Sequence, residues 1–176
     1  MTSMFARYAP QVHGSPDPRA HVRAARPEDV DAIVQVVASR GPVPDGFARR
    51  LAAAVGDPGR CVLVGHVGPT VVGWASVSWW SGHADVPDGY AVSGLTVAPD
   101  WRRRYIGDRL LGALLDWSWQ RTAVVRSVVN ARNTPSIALH ERHGFTQVAR
   151  AARLAGISFE GGTGILMQVD RGRVRA

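Results

Sequence analysis

The stretch Val97-Ala98-Pro99-Asp100-Trp101-Arg102-Arg103-Arg104-Tyr105-Ile106-Gly107-Asp108-Arg109-Leu110-Leu111 decides the reading of this chain, because in it an apolar strand-like run meets three consecutive arginines and then a helix begins. Fixed cations beside the free N–H groups of a helix N-terminus, where the macrodipole also favours negative charge, suit a polyphosphate. Downstream, Ile106, Leu110, Leu114 and Trp117 recur at helical spacing and Leu111 and Leu115 widen the buried face, which predicts a helix from about Tyr105 to Gln120. Upstream, Tyr90 to Val97 reads as a strand that Pro99 stops, since proline has no N–H for a ladder.

Composition bounds what the anion site belongs to. The 176 residues fit one domain with a single core, and 45% hydrophobic with 20% charged content is that of a globular protein. The formal charge of +7 comes from arginine alone, for the sequence has no lysine. Such a balance suits a nucleic acid, a phosphate-bearing cofactor or an anionic surface. A GC-rich coding sequence would enrich arginine, alanine, glycine and valine as well, so position matters more than count. The single cysteine, Cys61, excludes an intrachain disulfide and a cysteine-based metal cluster within one chain. Lying in Cys61-Val62-Leu63-Val64, it reads as a small core residue. No metal site is predicted. No apolar run approaches the roughly 18 residues of a membrane span, and the N-terminus lacks the order of a signal peptide. A cytoplasmic location is expected.

Met1 to Ala20, with Pro10, Gly14, Pro16 and Pro18, predicts a flexible arm; residues 21–170 form one domain, and 171–176 a basic tail. Within the domain, Val22 to Ala25 predicts a short strand. Pro27-Glu28-Asp29 opens a helix carrying Val30, Ile33, Val34 and Val37, and a second helix runs from Phe47 to Val55. Cys61 to Val67 and Val71 to Trp79 read as a hairpin, followed by a polar loop from Ser81 to Gly89. After the helix at Tyr105, Ala123 to Val129 returns as a strand and Asn133-Thr134-Pro135-Ser136 opens a short helix that Gly144 ends. Phe145 to Ala149 and Gly164 to Val169 complete the strands.

This element order resembles the GNAT superfamily of acetyl-CoA-dependent N-acetyltransferases from His21 to Asp170. Two motifs carry the likeness. Val97, Pro99, Arg102 and Gly107 match Val-x-Pro followed by [Gln/Arg]-x-x-Gly-x-[Gly/Ala]; Asn133, Ser136, Leu139, His140, Gly144 and Phe145 match Asn-x-x-Ser-x-x-Leu-Tyr-x-x-x-Gly-Phe. The resemblance implies an α/β fold with a mixed, mostly antiparallel sheet of about six or seven strands flanked by about four helices. It also implies acetyl-CoA as co-substrate, bound by Leu95, Thr96, Val97, Arg102, Arg103, Arg104, Tyr105, Ile106, Gly107, Asp108, Asn133, Ser136 and His140.

In the family a backbone N–H polarises the thioester carbonyl, a part that falls to Val97, beside a bulge that Gly94 would ease. Two positions depart from the pattern. Tyr105 replaces the first glycine, which requires its ring to point outward. His140 stands where a tyrosine often protonates the coenzyme A thiolate; it is either a general acid, with an ordinary pKa near 6.5, or packing. No carboxylate on the strand before Val97 offers a general base, which leaves His83, Asp85, Asp88 and Glu160 as candidates. Trp80, His83, Asp85, Tyr90 and Glu160 are the expected contacts of the acceptor, a primary amine of a small molecule such as an amino sugar, an antibiotic or a metabolite. A protein or peptide acceptor is the alternative. So is a non-catalytic nucleic-acid-binding protein on the same fold, since fold does not fix function. No membrane partner is expected, and a homodimer is one assembly open to such a chain.

Overall fold

A computed structural model describes residues 14–159 and 161–173; Glu160 and the outer parts of the expected arm and tail lie outside the described residues. The valine-rich runs become strands whose alternate side chains need cover on both faces. In chain order they are β1 (Ala20–Ala24), β2 (Cys61–Val67), β3 (Thr70–Trp80), β4 (Gly89–Val97), β5 (Val124–Asn130) and β6 (Thr146–Ala151), then the short β7 (Arg153–Leu154) and β8 (Ile157–Ser158), and finally β9 (Gly164–Asp170). Four α-helices join them among the described residues: α1 (Val30–Ala38), α2 (Phe47–Ala54), α3 (Ile106–Ser118) and α4 (Thr134–Arg142). Seven strands form one sheet in the order β1-β2-β3-β4-β5-β9-β6, and β7 with β8 makes a separate hairpin. Every neighbouring pair is antiparallel except β4 with β5. This is the expected mixed sheet.

Three elements differ from expectation. The first strand starts at Ala20, which is buried and pairs with Val67. The β7–β8 hairpin was not predicted, because two-residue strands have no readable period. Residues 14–19, assigned to the arm, lie against the arginine turn: Asp17 is buried and its N–H donates to the Arg104 carbonyl at 3.4 Å.

Helix α3 covers one face of the sheet. Ile106, Leu110 and Leu114 pack there with Leu63, Ala75, Val92, Val125 and Ile165. Gly65 makes the close fit possible, since a Cβ on it would stand 2.8 Å from Ile106. On the other face α1 and α2 bring Ile33, Val36, Val37 and Leu51 onto Val62, Val64 and Trp74. A third cluster, Val86, Leu154 and Leu166 with Trp80, Val128 and Phe159, closes that face further along.

The functional geometry begins where β4 leaves β5. Their parallel pairing is limited to Tyr90–Val92 against Val125–Ser127. On the opposite edge the register with β3 shifts, so that Ser76 faces Gly94 but Val77 faces Val92 and Ser93 is the extra residue of a bulge. Bulges bend and twist the strand that carries them. Gly94 is required there, because a Cβ would lie 2.3 Å from the Trp74 ring. The expectation of a bulge beside Gly94 thus has its physical basis in a tryptophan packed across the strand.

Candidate active site

Beyond the bulge, β4 presents one free edge. Ala98 N–H donates to the Val72 carbonyl at 2.9 Å, and the register continues through Val97 opposite Gly73. In an antiparallel ladder bonded and non-bonded pairs alternate. Thr96 therefore bonds to β3, while Leu95 and Val97 turn their N–H and C=O groups to the side that β5 has left. The Val97 carbonyl accepts from Arg102 Nε at 3.2 Å, and its N–H stays on the open side.

The arginine turn follows at the end of this edge. Arg103 and Tyr105 both have left-handed backbone, with φ of 58° and 60°, at a cost of about 1–2 kcal/mol each for a side-chain-bearing residue. Tyr105 is 42% exposed. No side chain caps α3. Its first intrahelical acceptor is the Tyr105 carbonyl, bonded by Arg109 N–H at 3.0 Å. The N–H groups of Ile106, Gly107 and Asp108 accordingly have no partner within the helix. Gly107 brings the site together: a Cβ there would lie 3.3 Å from Leu139 and 3.8 Å from Val97, so the start of α3, the edge of β4 and helix α4 meet at one point.

The three arginines, grouped together by sequence, divide into separate parts. Arg102 is half-buried on the Val97 carbonyl, and desolvation holds its pKa below the ordinary arginine value. Arg104 is committed to structure: it bridges Asp17 at 3.2 Å, donates to the Asp100 carbonyl at 3.3 Å and lies 4.6 Å over the Trp101 ring. Arg103 is exposed and has no partner among the described residues. Asp108 also turns to structure. Arg142 binds its carboxylate through two nitrogens at 3.0 and 3.2 Å, with His143 3.7 Å away, which ties α3 to α4.

On α4, Asn133 is the N-cap, its Oδ1 accepting from Ser136 N–H at 3.3 Å. Its side-chain NH₂ bonds to none of the described residues. Of the two readings of His140, general acid or packing, the surroundings of the ring favour packing. The ring is buried, stands edge-on to Phe145 at 4.9 Å, and donates from Nδ1 to the Ser136 carbonyl at 2.7 Å. Nε2 is then the unprotonated nitrogen, buried and without a partner. Desolvation pushes the pKa down to about 4, so the ring is neutral near pH 7 and its one proton is held by backbone.

The expected acceptor contacts scatter. Tyr90 packs edge-on between Trp79 and Trp117 on the α3 face. Trp80 joins the third apolar cluster and meets His83 edge-on, while Asp85 accepts from Ala155 N–H at 3.1 Å and so fixes its loop to the β7–β8 turn. Asp88 accepts from Gly82 N–H within its own loop. Glu160 lies outside the described residues. The cavity itself opens on the other side of β4, between the α1–α2 connection and strands β3 and β4, with a volume of about 560 Å³. Ser76, Ser78 and Ser93 line it, with Ser93 Oγ 3.3 and 3.2 Å from the hydroxyls of Ser76 and Ser78. Leu95 and Thr96 line it too, so this cavity adjoins the strand whose free edge was described above. Sequence reasoning missed these serines, although Ser76 and Ser78 alternating in an otherwise apolar strand were the available signal.

A strand splayed by a bulge, a free backbone edge and an uncapped helix N-terminus at its end define a site for an elongated ligand bearing phosphates. The chain belongs to the acetyltransferase (GNAT) family, whose model matches residues 30–145. It is an acetyl-CoA-dependent acyltransferase, with acetyl-CoA as its co-substrate. The fold is similar to that of yncA from Salmonella typhimurium, solved with acetyl-CoA, at 24% identity over 90% of this chain and 97% of that one, with a TM-score of 0.70. Ard1 from Thermoplasma volcanium is similar at 18% identity over 86% of this chain and 97% of that one, TM-score 0.70. The ribosomal-protein-S18-alanine N-acetyltransferase of Escherichia coli is similar at 20% identity over 86% and 93%, TM-score 0.67. No curated protein matches the sequence.

Proposed function

We propose that this acetyltransferase moves the acetyl group to the primary amine of a small molecule, by direct attack in a ternary complex, in the cytoplasm. The observation that carries the proposal is the shared strand: β4 offers Leu95 and Val97 on its free edge, and Ser93, Leu95 and Thr96 at the wall of an adjoining open cleft. A cleft of about 560 Å³ lies in the range of small-molecule sites.

The residues fit coenzyme A. The N–H groups of Ile106, Gly107 and Asp108, which have no partner within the helix, would take the pyrophosphate, with the exposed Arg103 on the same turn adding a cation. The edge groups of Leu95 and Val97 would pair with the pantetheine amides, and the Asn133 amide would add a donor. Bound acetyl-CoA supplies an activated acetyl thioester. A fixed backbone N–H on β4 at Val97 polarises a carbonyl placed against it without reorganisation. The amine arrives from the cavity in its neutral form, and the linked hydroxyls of Ser76, Ser78 and Ser93 pass its proton toward solvent. With His140 sealed away, water is the proton source for the departing thiol.

Titration with acetyl-CoA and an assay of free thiol release over a panel of amines test this. Saturable binding and amine-dependent release are expected. Absence of acetyl-CoA binding, together with tight, salt-sensitive binding to a DNA duplex, would overturn the proposal in favour of a nucleic-acid-binding protein.

A further inference from the structure

The same cavity carries a charge pattern that bears on its occupant. Three arginines line it, Arg40, Arg50 and Arg60, and among the described residues no Asp or Glu does. Two of the three are engaged elsewhere. Arg60 lies 3.1 Å from Asp57, and Arg50 donates to the Asp45 carbonyl at 2.7 Å. Arg40 is exposed and has neither an ion pair nor a side-chain hydrogen bond among the described residues. It stands just past the end of α1, where its own N–H is bonded to the Val37 carbonyl at 3.2 Å. Pro42 and Pro44 follow, and their fixed φ stiffens the connection that holds it at the cavity wall.

An unpaired guanidinium on the wall, neutral hydroxyls on the strands opposite and no carboxylate make a poor site for an acceptor that is cationic all over. They make a complementary one for an acceptor that brings its own negative group, because opposite potentials across a contact select the partner. Resting on the acetyl-transfer proposal for this site, we infer that the acceptor is a small amine that also carries an oxyanion, a carboxylate or phosphonate, bound by Arg40, with its amine turned toward Ser93 and the β4 strand. Guanidinium and carboxylate match as a two-pronged pair, which fixes orientation as well as affinity. Peptide N-termini and polyamines, which present an ammonium without a neighbouring anion, leave Arg40 uncompensated and are disfavoured.

The test compares matched acceptors: L-leucine, L-leucinamide and isoamylamine, the corresponding set built on L-phenylalanine, and 2-aminoethylphosphonate as the second oxyanion. At least one oxyanion-bearing amine is expected to exceed its neutralised counterpart by about 30- to 100-fold in kcat/KM, the size of one charge-assisted contact. Arg40→Ala should erase most of that preference through KM, with kcat and the Kd of acetyl-CoA little changed, and Arg40→Lys should restore part of it. A preference for phosphonate over carboxylate, or the reverse, identifies which oxyanion is bound. Amides and decarboxylated amines acetylated as fast as their parents would overturn the inference. So would discrimination that survives Arg40→Ala, or an enzyme that binds acetyl-CoA yet acetylates no oxyanion-bearing amine; each of these leaves the acetyl-transfer proposal standing. Failure to bind acetyl-CoA at all would remove that proposal instead.

Discussion

Asp17 and Arg104, 87 residues apart in the chain, meet in a 3.2 Å ion pair that fastens the segment before β1 to the arginine turn. Arg19 closes on the same carboxylate at 2.9 and 3.0 Å, and Arg109 donates to the Asp17 carbonyl at 3.2 Å. Hydrogen bonds from Arg19, and then from Arg104, hold the Asp17 carboxyl well below the usual carboxylate range. A depressed folded-state value means that the stabilisation is full above the ordinary pKa near 4 and is lost as pH falls below it. Melting curves between pH 7 and pH 2 should therefore show a shallower acid limb for Asp17→Asn than for the parent. Identical limbs would show that the pair contributes nothing to folding.

The division of labour among the arginines predicts opposite phenotypes for neighbours in sequence. Arg103→Ala should weaken acetyl-CoA binding by about 5- to 10-fold, as expected for loss of an exposed charge-assisted contact, and should leave Tm nearly unchanged. Arg104→Ala should lower Tm and alter the Kd of acetyl-CoA by less than Arg103→Ala does. Calorimetric titration and melting of the two variants side by side decide it; a larger binding defect in Arg104→Ala reverses the assignment.

Buried neutral, with a pKa of about 4 against an ordinary 6.5, His140 favours the folded state fully above pH 6.5 and progressively less as pH falls toward 4, because the unfolded chain takes up the proton first. The full effect is about 3 kcal/mol. Denaturant titrations of His140→Asn, which keeps a donor for the Ser136 carbonyl but cannot titrate, should lose this slope. Turnover at pH 7.5 should stay within a few-fold of the parent. A hundredfold drop in kcat with unchanged Kd for acetyl-CoA would return the side chain to chemistry.

At position 105 the backbone conformation suits glycine while the residue is tyrosine. Tyr105→Gly relieves left-handed strain of about 1–2 kcal/mol, partly offset by the freedom glycine gains in the unfolded chain. Net stabilisation of up to about 1 kcal/mol is expected, with acetyl-CoA affinity retained because the side chain is exposed. A loss of affinity would mean that the ring itself covers the ligand.

Gly94→Ala tests the bulge. Its methyl would press on the Trp74 ring at 2.3 Å, and overpacking of this kind costs about 1–3 kcal/mol. Since Trp74 also lines the cavity proposed for the acceptor, KM for the amine should rise more than the Kd of acetyl-CoA. Equal effects on both ligands would argue for a general loosening of β4.

The valine-rich strands and the leucine stripe of α3 were legible in the sequence because each rests on local periodicity. The acceptor side was not. Tyr90 and Trp80 looked like pocket residues as aromatics near a loop, yet which strand face they occupy depends on the register with β3, which the bulge at Ser93 shifts. Arg104 looked equivalent to Arg103 because nothing local reveals a partner 87 positions earlier. His140 sat at the matching motif position, but the burial that decides its protonation is set by Phe145 and the turn of α4. The serine lining of the cavity required both the strand alternation and the placement of α1 and α2, of which only the first is written locally.

The pairing of β4 with β5 stops after three residue pairs, which leaves a stretch of sheet unzipped in the middle of an otherwise continuous weave. A fold that omits rungs from its central ladder forgoes part of its own cohesion and keeps the backbone groups concerned available. A ligand carrying peptide-like amides that paired along this edge, as proposed for acetyl-CoA, would add a detachable strand, and its binding would double as the last step of sheet formation. On that view amide exchange along Leu95 and Val97 should slow when acetyl-CoA is added.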